Sequence, residues 1–184
     1  ATIFAEMLPV QSPDLLTLLT VDAQCLSRLA AMQGLNAEAG QWRATAERLK
    51  GLFHATFVRE DEIVYWVSTA EGWRMRHSTS LLTRIPILLG MDLEEKARRR
   101  IVQELGDSGK FAAASGPASE SLSSALYESN GYWRGPVWGP STLLICEGLK
   151  SAGEASLATE LARRYRRTCA REAAFRENYD ARTG

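Results

Sequence analysis

Apolar positions along the chain alternate between two kinds of helix. Leu15 to Met32 is apolar on most sides, with Leu15, Leu16, Leu18, Leu19, Val21, Leu26 and Leu29; Ser12-Pro13-Asp14 opens it and Gly34 closes it. A helix apolar all round is expected to be buried, and a hydroxyl, a proline and an acid suit its first turn. The next stretch, capped by Asn36, is one-sided. Trp42, Ala46, Leu49 and Phe53 share a stripe, and Arg43, Glu47, Arg48 and Lys50 lie off it, which predicts a surface helix lying on a core. The pair recurs twice. Leu81 to Leu89, capped by Ser78-Thr79-Ser80 and kinked or stopped early by Pro86, precedes an amphipathic stretch. There Asp92 and Glu95 have capping-box spacing, Leu93, Ala97, Ile101 and Leu105 point inward, and Arg98, Arg99 and Arg100 point largely outward. Val137 to Leu149 is again apolar on most faces. Glu154 to Ala170 is again amphipathic, with Leu157, Leu161 and Tyr165 inward and its arginines late, where the helix dipole favours them.

The amphipathic members begin near residues 37, 92 and 154, a spacing of about sixty that marks a degenerate repeat. Buried helices wrapped by an outer ring produce this alternation. The expected fold is all-α: three helical hairpins forming a partial α/α toroid, with residues 1–184 as one segment and short β segments in the loops. Glu62 to Val67 has strand composition, and Ser68 to His77, with Trp73, Arg74, Arg76 and His77, is expected as a loop. Gly106 to Gly135 has no sustained period; about thirty such residues inside a domain mark function or disorder. Because this stretch ends in an aromatic cluster, an ordered loop is expected.

Composition narrows the picture. The chain has 184 residues, 45% hydrophobic and 24% charged, with a net charge of zero. That places it among soluble globular proteins and removes the electrostatic case for nucleic acid or an anionic membrane. The basic cluster from Arg163 to Arg171 therefore reads as a solvated outer face. No apolar run approaches the roughly 20 residues of a membrane helix. Ala1 to Glu6 shows no basic n-region or cleavage pattern, so no signal peptide is read and a cytoplasmic location is slightly favoured. Cys25, Cys146 and Cys169, with His54 and His77, make neither a zinc spacing nor a disulfide framework. Buried free thiols are expected, with no metal or cofactor.

Candidate chemistry concentrates in Gly131-Tyr132-Trp133-Arg134-Gly135-Pro136-Val137-Trp138-Gly139-Pro140. Aromatics need burial, an Arg beside them needs a partner, and Gly and Pro fix the backbone that aims them. The string resembles the Tyr-Trp-Arg-Gly-Pro-Val/Ile-Trp signature of the family 63 glycoside hydrolases, relatives of the trehalases with (α/α)6 toroid catalytic domains. The closing Glu177-Asn178-Tyr179-Asp180, with Thr183-Gly184, is similar to that family's Glu-x-Tyr-Asn/Asp segment. Alone, Glu177 would read as an exposed acid near a terminus; its place after an outer helix, spaced from Tyr132-Trp133-Arg134, favours the functional reading. The similarity covers most of residues 12–184, and only these two motifs are specific.

The resemblance implies an inverting glycosidase acting on an α-glucoside or α-mannoside: a glucosidase, a mannosylglycerate hydrolase or a trehalase-like enzyme. Glu177 would be the general base, and Tyr132, Trp133, Arg134, Gly135, Trp138 and Tyr179 would bind the carbohydrate. Trp66 and Trp73 are weaker candidates. Inversion needs two carboxyl groups; in the family the acid is an upstream Asp, in a part of the domain this chain is expected to lack. Asp14 and Asp22 are candidates by elimination only, and neither is assigned. The alternatives are a non-catalytic sugar-binding toroid and a helical scaffold for protein contacts.

Overall fold

The structure is a computed structural model and describes residues 9–172 and 176–184. The opening residues read for a signal peptide, and Phe175 beside the Glu177 motif, lie outside them. The described residues fall into two compact units divided after Ser78.

In the first unit, β1 (Val10–Gln11) leads into α1 (Pro13–Met32) and α2 (Asn36–Phe57). The two helices form a hairpin whose turn follows from one glycine. Gly34 has φ +76, so its N–H can bond to the Ala31 carbonyl while that of Leu35 reaches the Ala30 carbonyl, a Schellman turn. The cap of α2 is Leu35, not Asn36, which is already helical. Ser12 stands at the start of α1 but turns its hydroxyl to Asp14.

The helix expected to be buried on all sides has instead two distinct faces. Thr17, Thr20, Ala23, Ser27 and Ala30 are buried, and Ser27 Oγ donates to the Ala39 carbonyl at 2.8 Å. Leu15, Leu19, Leu26, Leu29 and Met32 are exposed. Small residues let the α2 backbone approach closely, so the leucines are not the ones facing it. By length and composition α1 is also apolar enough to cross a membrane, although Asp22 and Arg28 lie within it.

Beyond α2 come β2 (Val58–Arg59), β3 (Glu62–Ile63), β4 (Tyr65–Thr69) and β5 (Gly72–Arg76). β2 pairs with β3, and β1, β4 and β5 form an antiparallel sheet. The expected strand is present, but Trp73, Arg74 and Arg76 lie on β5 rather than in a loop. Gly72, with φ +109, turns the chain back after Thr69.

The second unit begins with a 3-10 helix, Leu81–Asp92, containing Pro86. Pro cannot donate the bond an α-helix needs at that point and its ring crowds the preceding turn. The segment bends at Gly90 (φ +57), where a Cβ would stand 2.7 Å from the Ser151 carbonyl oxygen. α3 (Glu95–Gly106) buries Ala97, Ile101 and Leu105 as expected. The expected capping box is not used: Glu94 is the cap residue and its side chain makes no capping bond.

The following stretch contains β6 (Ala112–Ala113), β7 (Gly116–Pro117) and β8 (Val137–Trp138). Residues 111–113 and 115–121 are buried, and their backbone groups are tied: Ala118 N–H to Phe111 O, Ser119 N–H to Pro136 O, and Leu81 N–H to Ser119 O. α4 (Gly139–Ser151) and α5 (Ala155–Arg171) follow, and β9 (Asn178–Tyr179) closes the chain. The α4–α5 turn repeats the α1–α2 turn. Gly153 (φ +85) donates to Lys150 O and Glu154 to Leu149 O. Ile87, Leu105, Phe111, Ile145, Leu149 and Leu161 are fully buried.

A buried ion pair, Arg84–Glu104 at 2.7 Å, is joined by Lys110 at 2.9 Å. Burial pushes the Glu104 carboxyl up, but Arg84 and Lys110 outweigh it and hold it below the usual range. Of the cysteines only Cys146 is buried; Cys25 is exposed, because it lies off the face that α1 turns to α2. The fold is a partial (α/α)6 toroid of three helical hairpins with short β segments in the loops.

Candidate active site

The aromatic motif is a loop wrapped around one residue. Glu128 N–H donates to Arg134 O at 2.7 Å, Gly131 N–H to Glu128 O at 2.9 Å and Arg134 N–H to Gly131 O at 3.0 Å. The Arg134 guanidinium pairs with the Glu128 carboxylate. Both neighbouring glycines are required by that closeness. A Cβ on Gly131 would lie 2.8 Å from Glu128 Cβ, and one on Gly135 would lie 2.3 Å from the Glu128 carbonyl oxygen. Gly135 N–H is further held by Ser119 Oγ at 3.0 Å.

At the tip, Tyr132 has φ +56, a left-handed conformation that bulky residues rarely adopt outside functional sites. The twist fans out three rings. Trp133 stacks on Trp138 with centroids 4.2 Å apart at 13°, and Tyr132 meets Trp138 edge-on at 4.6 Å. Trp138 is buried and donates Nε1–H to the Tyr132 carbonyl at 2.9 Å. Trp133 is 48% exposed and Tyr132 52%, so the stack offers a supported aromatic face to solvent.

The acid arrives from the other end of the chain. β8 and β9 pair antiparallel, Val137 with Tyr179 and Trp138 with Asn178. This carries Glu177 to the aromatics, where Tyr132 Oη donates to Glu177 Oε1 at 2.9 Å. That bond is the main cause that raises the Tyr132 phenol above its ordinary value. Asp180 fixes the final turn, accepting from the N–H groups of Arg182 and Thr183, both at 2.8 Å, and from the Thr183 hydroxyl at 3.0 Å. Burial would raise its carboxyl, but the Thr183 and Arg182 N–H groups and the Thr183 and Ser129 hydroxyls outweigh that and hold it low.

Tyr132, Trp133, Trp138 and Glu177 are thus brought together. Arg134 belongs to the same loop but turns to Glu128. Gly135 is a packing position. Tyr179 is 3% exposed, meets Tyr165 edge-on at 5.7 Å, and accepts from the Arg176 N–H at 3.3 Å, which places it in the framework rather than among the exposed rings. In the first unit Trp66 donates to the Thr56 carbonyl at 2.9 Å, and Trp73 is exposed on β5. A cavity of about 40 Å³ beside Trp133 is lined by Ser80, Leu81, Ser119 and Ser141 among others. A wider groove of about 530 Å³ between α4 and α5 includes none of the motif residues beyond Gly139. Sequence reasoning missed Glu128, Ser119 and Asp180 as organisers. Asp180 had a signal, the Asx-turn pattern Asp-x-x-Thr ending in Gly; Glu128 and Ser119 had none.

Paired helices in a toroid segment give the chain the fold class of the trehalase-like toroid proteins. The chain belongs to the mannosylglycerate hydrolase MGH1-like glycoside hydrolase domain family, whose model matches residues 3–184. No curated protein matches it. Among solved structures it is similar to the family 63 mannosylglycerate hydrolase from Thermus thermophilus. In complex with glucose, that structure aligns with a TM-score of 0.78 at 24% identity, covering 95% of this chain and 40% of that one. The complex with Tris gives 0.77 at 24%, covering 95% and 41%. Neutral trehalase Nth1 from Saccharomyces cerevisiae gives 0.71 at 18%, covering 94% and 34%. The chain therefore spans about two fifths of the length of the hydrolase it resembles.

Proposed function

We propose that this chain carries the general base and the aromatic sugar platform of an inverting α-glycosidase acting on an α-glucoside or α-mannoside. The observation that carries the reading is the Tyr132–Glu177 hydrogen bond at 2.9 Å beside the Trp133–Trp138 stack. A pyranose has an apolar C–H face suited to the exposed indole of Trp133. The Glu177 carboxylate would take a proton from water as that water attacks the anomeric carbon, and Tyr132 orients it. The family membership and the hydrolase and trehalase descriptions of its structural neighbours support the sugar class.

Inversion also needs an acid on the opposite face of the sugar, roughly 6.5–9.5 Å from the base. Asp14 is bonded to Ser12 and Asp22 is exposed on α1; neither is assigned. The acid, and helices that cover the leucine face of α1, belong in this reading to a further part of the catalytic domain upstream. The 184-residue chain alone then binds sugar without turnover. Nitrophenyl α-glucoside and α-mannoside test turnover, and sugar-dependent quenching of Trp fluorescence tests binding. Turnover by this chain alone would overturn the division of acid and base. Absence of any sugar response would favour the scaffold alternative.

A further inference from the structure

We propose that Glu128 and Arg134 are a positioning pair: their ion pair holds Tyr132 and Trp133 in place, and Arg134 serves the sugar site through Glu128 instead of touching the sugar. The last clause rests on the carbohydrate reading; the first does not.

The guanidinium already has a carboxylate partner within its own loop. An isolated surface ion pair contributes little, because two long side chains must be ordered to form it. Here the backbone has done much of that ordering. The 2.7 Å bond from Glu128 N–H to Arg134 O already brings the two residues together, and the Gly131 bonds close the turn between them. Inside the closed turn sits the left-handed Tyr132, whose carbonyl receives the Trp138 indole N–H and whose hydroxyl reaches Glu177. A left-handed tyrosine persists only where its surroundings over-determine it. The loop is gripped at its base by Glu128–Arg134 and at its tip by Trp138 and Glu177. Releasing the base frees Tyr132 to leave that conformation, and the Trp133 stack and the bond to Glu177 go with it. Glu128 was not among the residues that the sequence motifs singled out, and its hydrogen bonds and ion pair tie it to this loop.

The test is a double-mutant cycle on the 184-residue chain with Glu128→Gln, Arg134→Gln, both together, and the charge-exchanged Glu128→Arg with Arg134→Glu. Far-ultraviolet circular dichroism checks that each variant is folded. Without sugar, the near-ultraviolet tryptophan signal should fall equally in both single variants, fall no further in the double, and partly return in the exchanged pair. Glucose and mannose are then titrated against tryptophan fluorescence. Either single variant should raise Kd about fivefold and the double no more than that, since residues acting as one unit are non-additive. Losses that add in the double would show that Arg134 contacts the sugar independently and would overturn the proposal. So would a Glu128→Gln variant with unchanged near-ultraviolet signal and unchanged Kd. If the unsubstituted chain responds to neither sugar, the carbohydrate reading fails, and the near-ultraviolet cycle alone decides whether the pair positions the loop.

Discussion

Replacing Gly135 by Ala tests the most crowded point of the aromatic loop. The backbone at Gly135 is not left-handed, so alanine meets no torsional barrier there; the obstacle is steric. Its Cβ would stand 2.3 Å from the Glu128 carbonyl oxygen, 3.0 Å from that carbonyl carbon and 3.1 Å from Tyr127 Cε2. Reaching even the closest contact that real Cβ atoms show requires a displacement of about 0.7 Å. Glu128 is poorly able to yield, since its N–H is bonded to Arg134 and its carbonyl to Gly131. Overpacking of this kind costs about 1–3 kcal/mol, and a weakened backbone hydrogen bond adds about 1. Lower unfolded-state entropy returns about 0.4–1 kcal/mol. The net loss is about 2 kcal/mol, or roughly 4–8 °C in Tm for a chain of this size. Gly40 and Gly51 supply internal controls: both lie in α2 with nothing within 4 Å of a Cβ. Alanine at either should stabilise by about 0.5–1 kcal/mol. Urea unfolding followed by tryptophan fluorescence and circular dichroism reads all three. A Gly135→Ala midpoint at or above that of the unsubstituted chain, with the controls rising as expected, would refute the steric argument.

On the proposed reading, in a protein that also carries the acid, Glu177→Gln should lower turnover by about 10²–10⁴ while leaving sugar binding nearly intact, because Gln keeps the size and acceptor but cannot take a proton. Trp133→Ala should act mainly on binding, seen as a higher Kd with a smaller change in turnover. The Asp180 carboxyl is held low in the fold, so its contribution is fully present above the ordinary Asp value of about 3.9 and is lost as pH falls through the folded value. The urea-midpoint gap between the unsubstituted chain and Asp180→Asn should therefore be widest near neutrality and narrow below about pH 4; a gap independent of pH would contradict the assignment. Ser27→Val should destabilise by about 1–3 kcal/mol, since it thickens the close α1–α2 contact and removes the bond to the Ala39 carbonyl at 2.8 Å; a neutral result would show that the contact has slack.

The helices were legible because their apolar spacing is local information, and the repeat was legible because the outer helices share a strongly one-sided pattern. Hydrophobicity was misleading where it was strongest. In α1 the leucines suggested burial, yet close approach selected Thr17, Thr20, Ala23 and Ser27 for the contact with α2. The pattern reports which residues avoid water, not which face a partner chooses. Pro86 announced a disturbance without specifying that the helix would tighten to 3-10. In the site, Trp133, Trp138 and Glu177 were visible as residues, and their proximity is a product of the two-pair β8–β9 ladder, too short to leave a pattern. Glu128 had no sequence signal because its role lies in backbone bonds and in the space two glycines leave for it.

That short ladder also bears on the order in which the molecule assembles. The α1–α2 and α4–α5 hairpins close over tight turns fixed by Gly34 and Gly153, and such local contacts form early. Joining Glu177 to Trp138 needs closure of a loop that contains both α4 and α5, and its return is two strand pairs, the Ser115 N–H to Ala181 O bond and the burial of Tyr179 and Ala181. The entropy of a long closure must be spent before these contacts return anything. The Glu177 segment is therefore expected to dock after the hairpins have formed, once Val137 and Tyr165 are in place to receive Tyr179 and Ala181. In a chain built this way, the meeting of Glu177 with Tyr132 is a late event of folding, completed only after the helical hairpins stand.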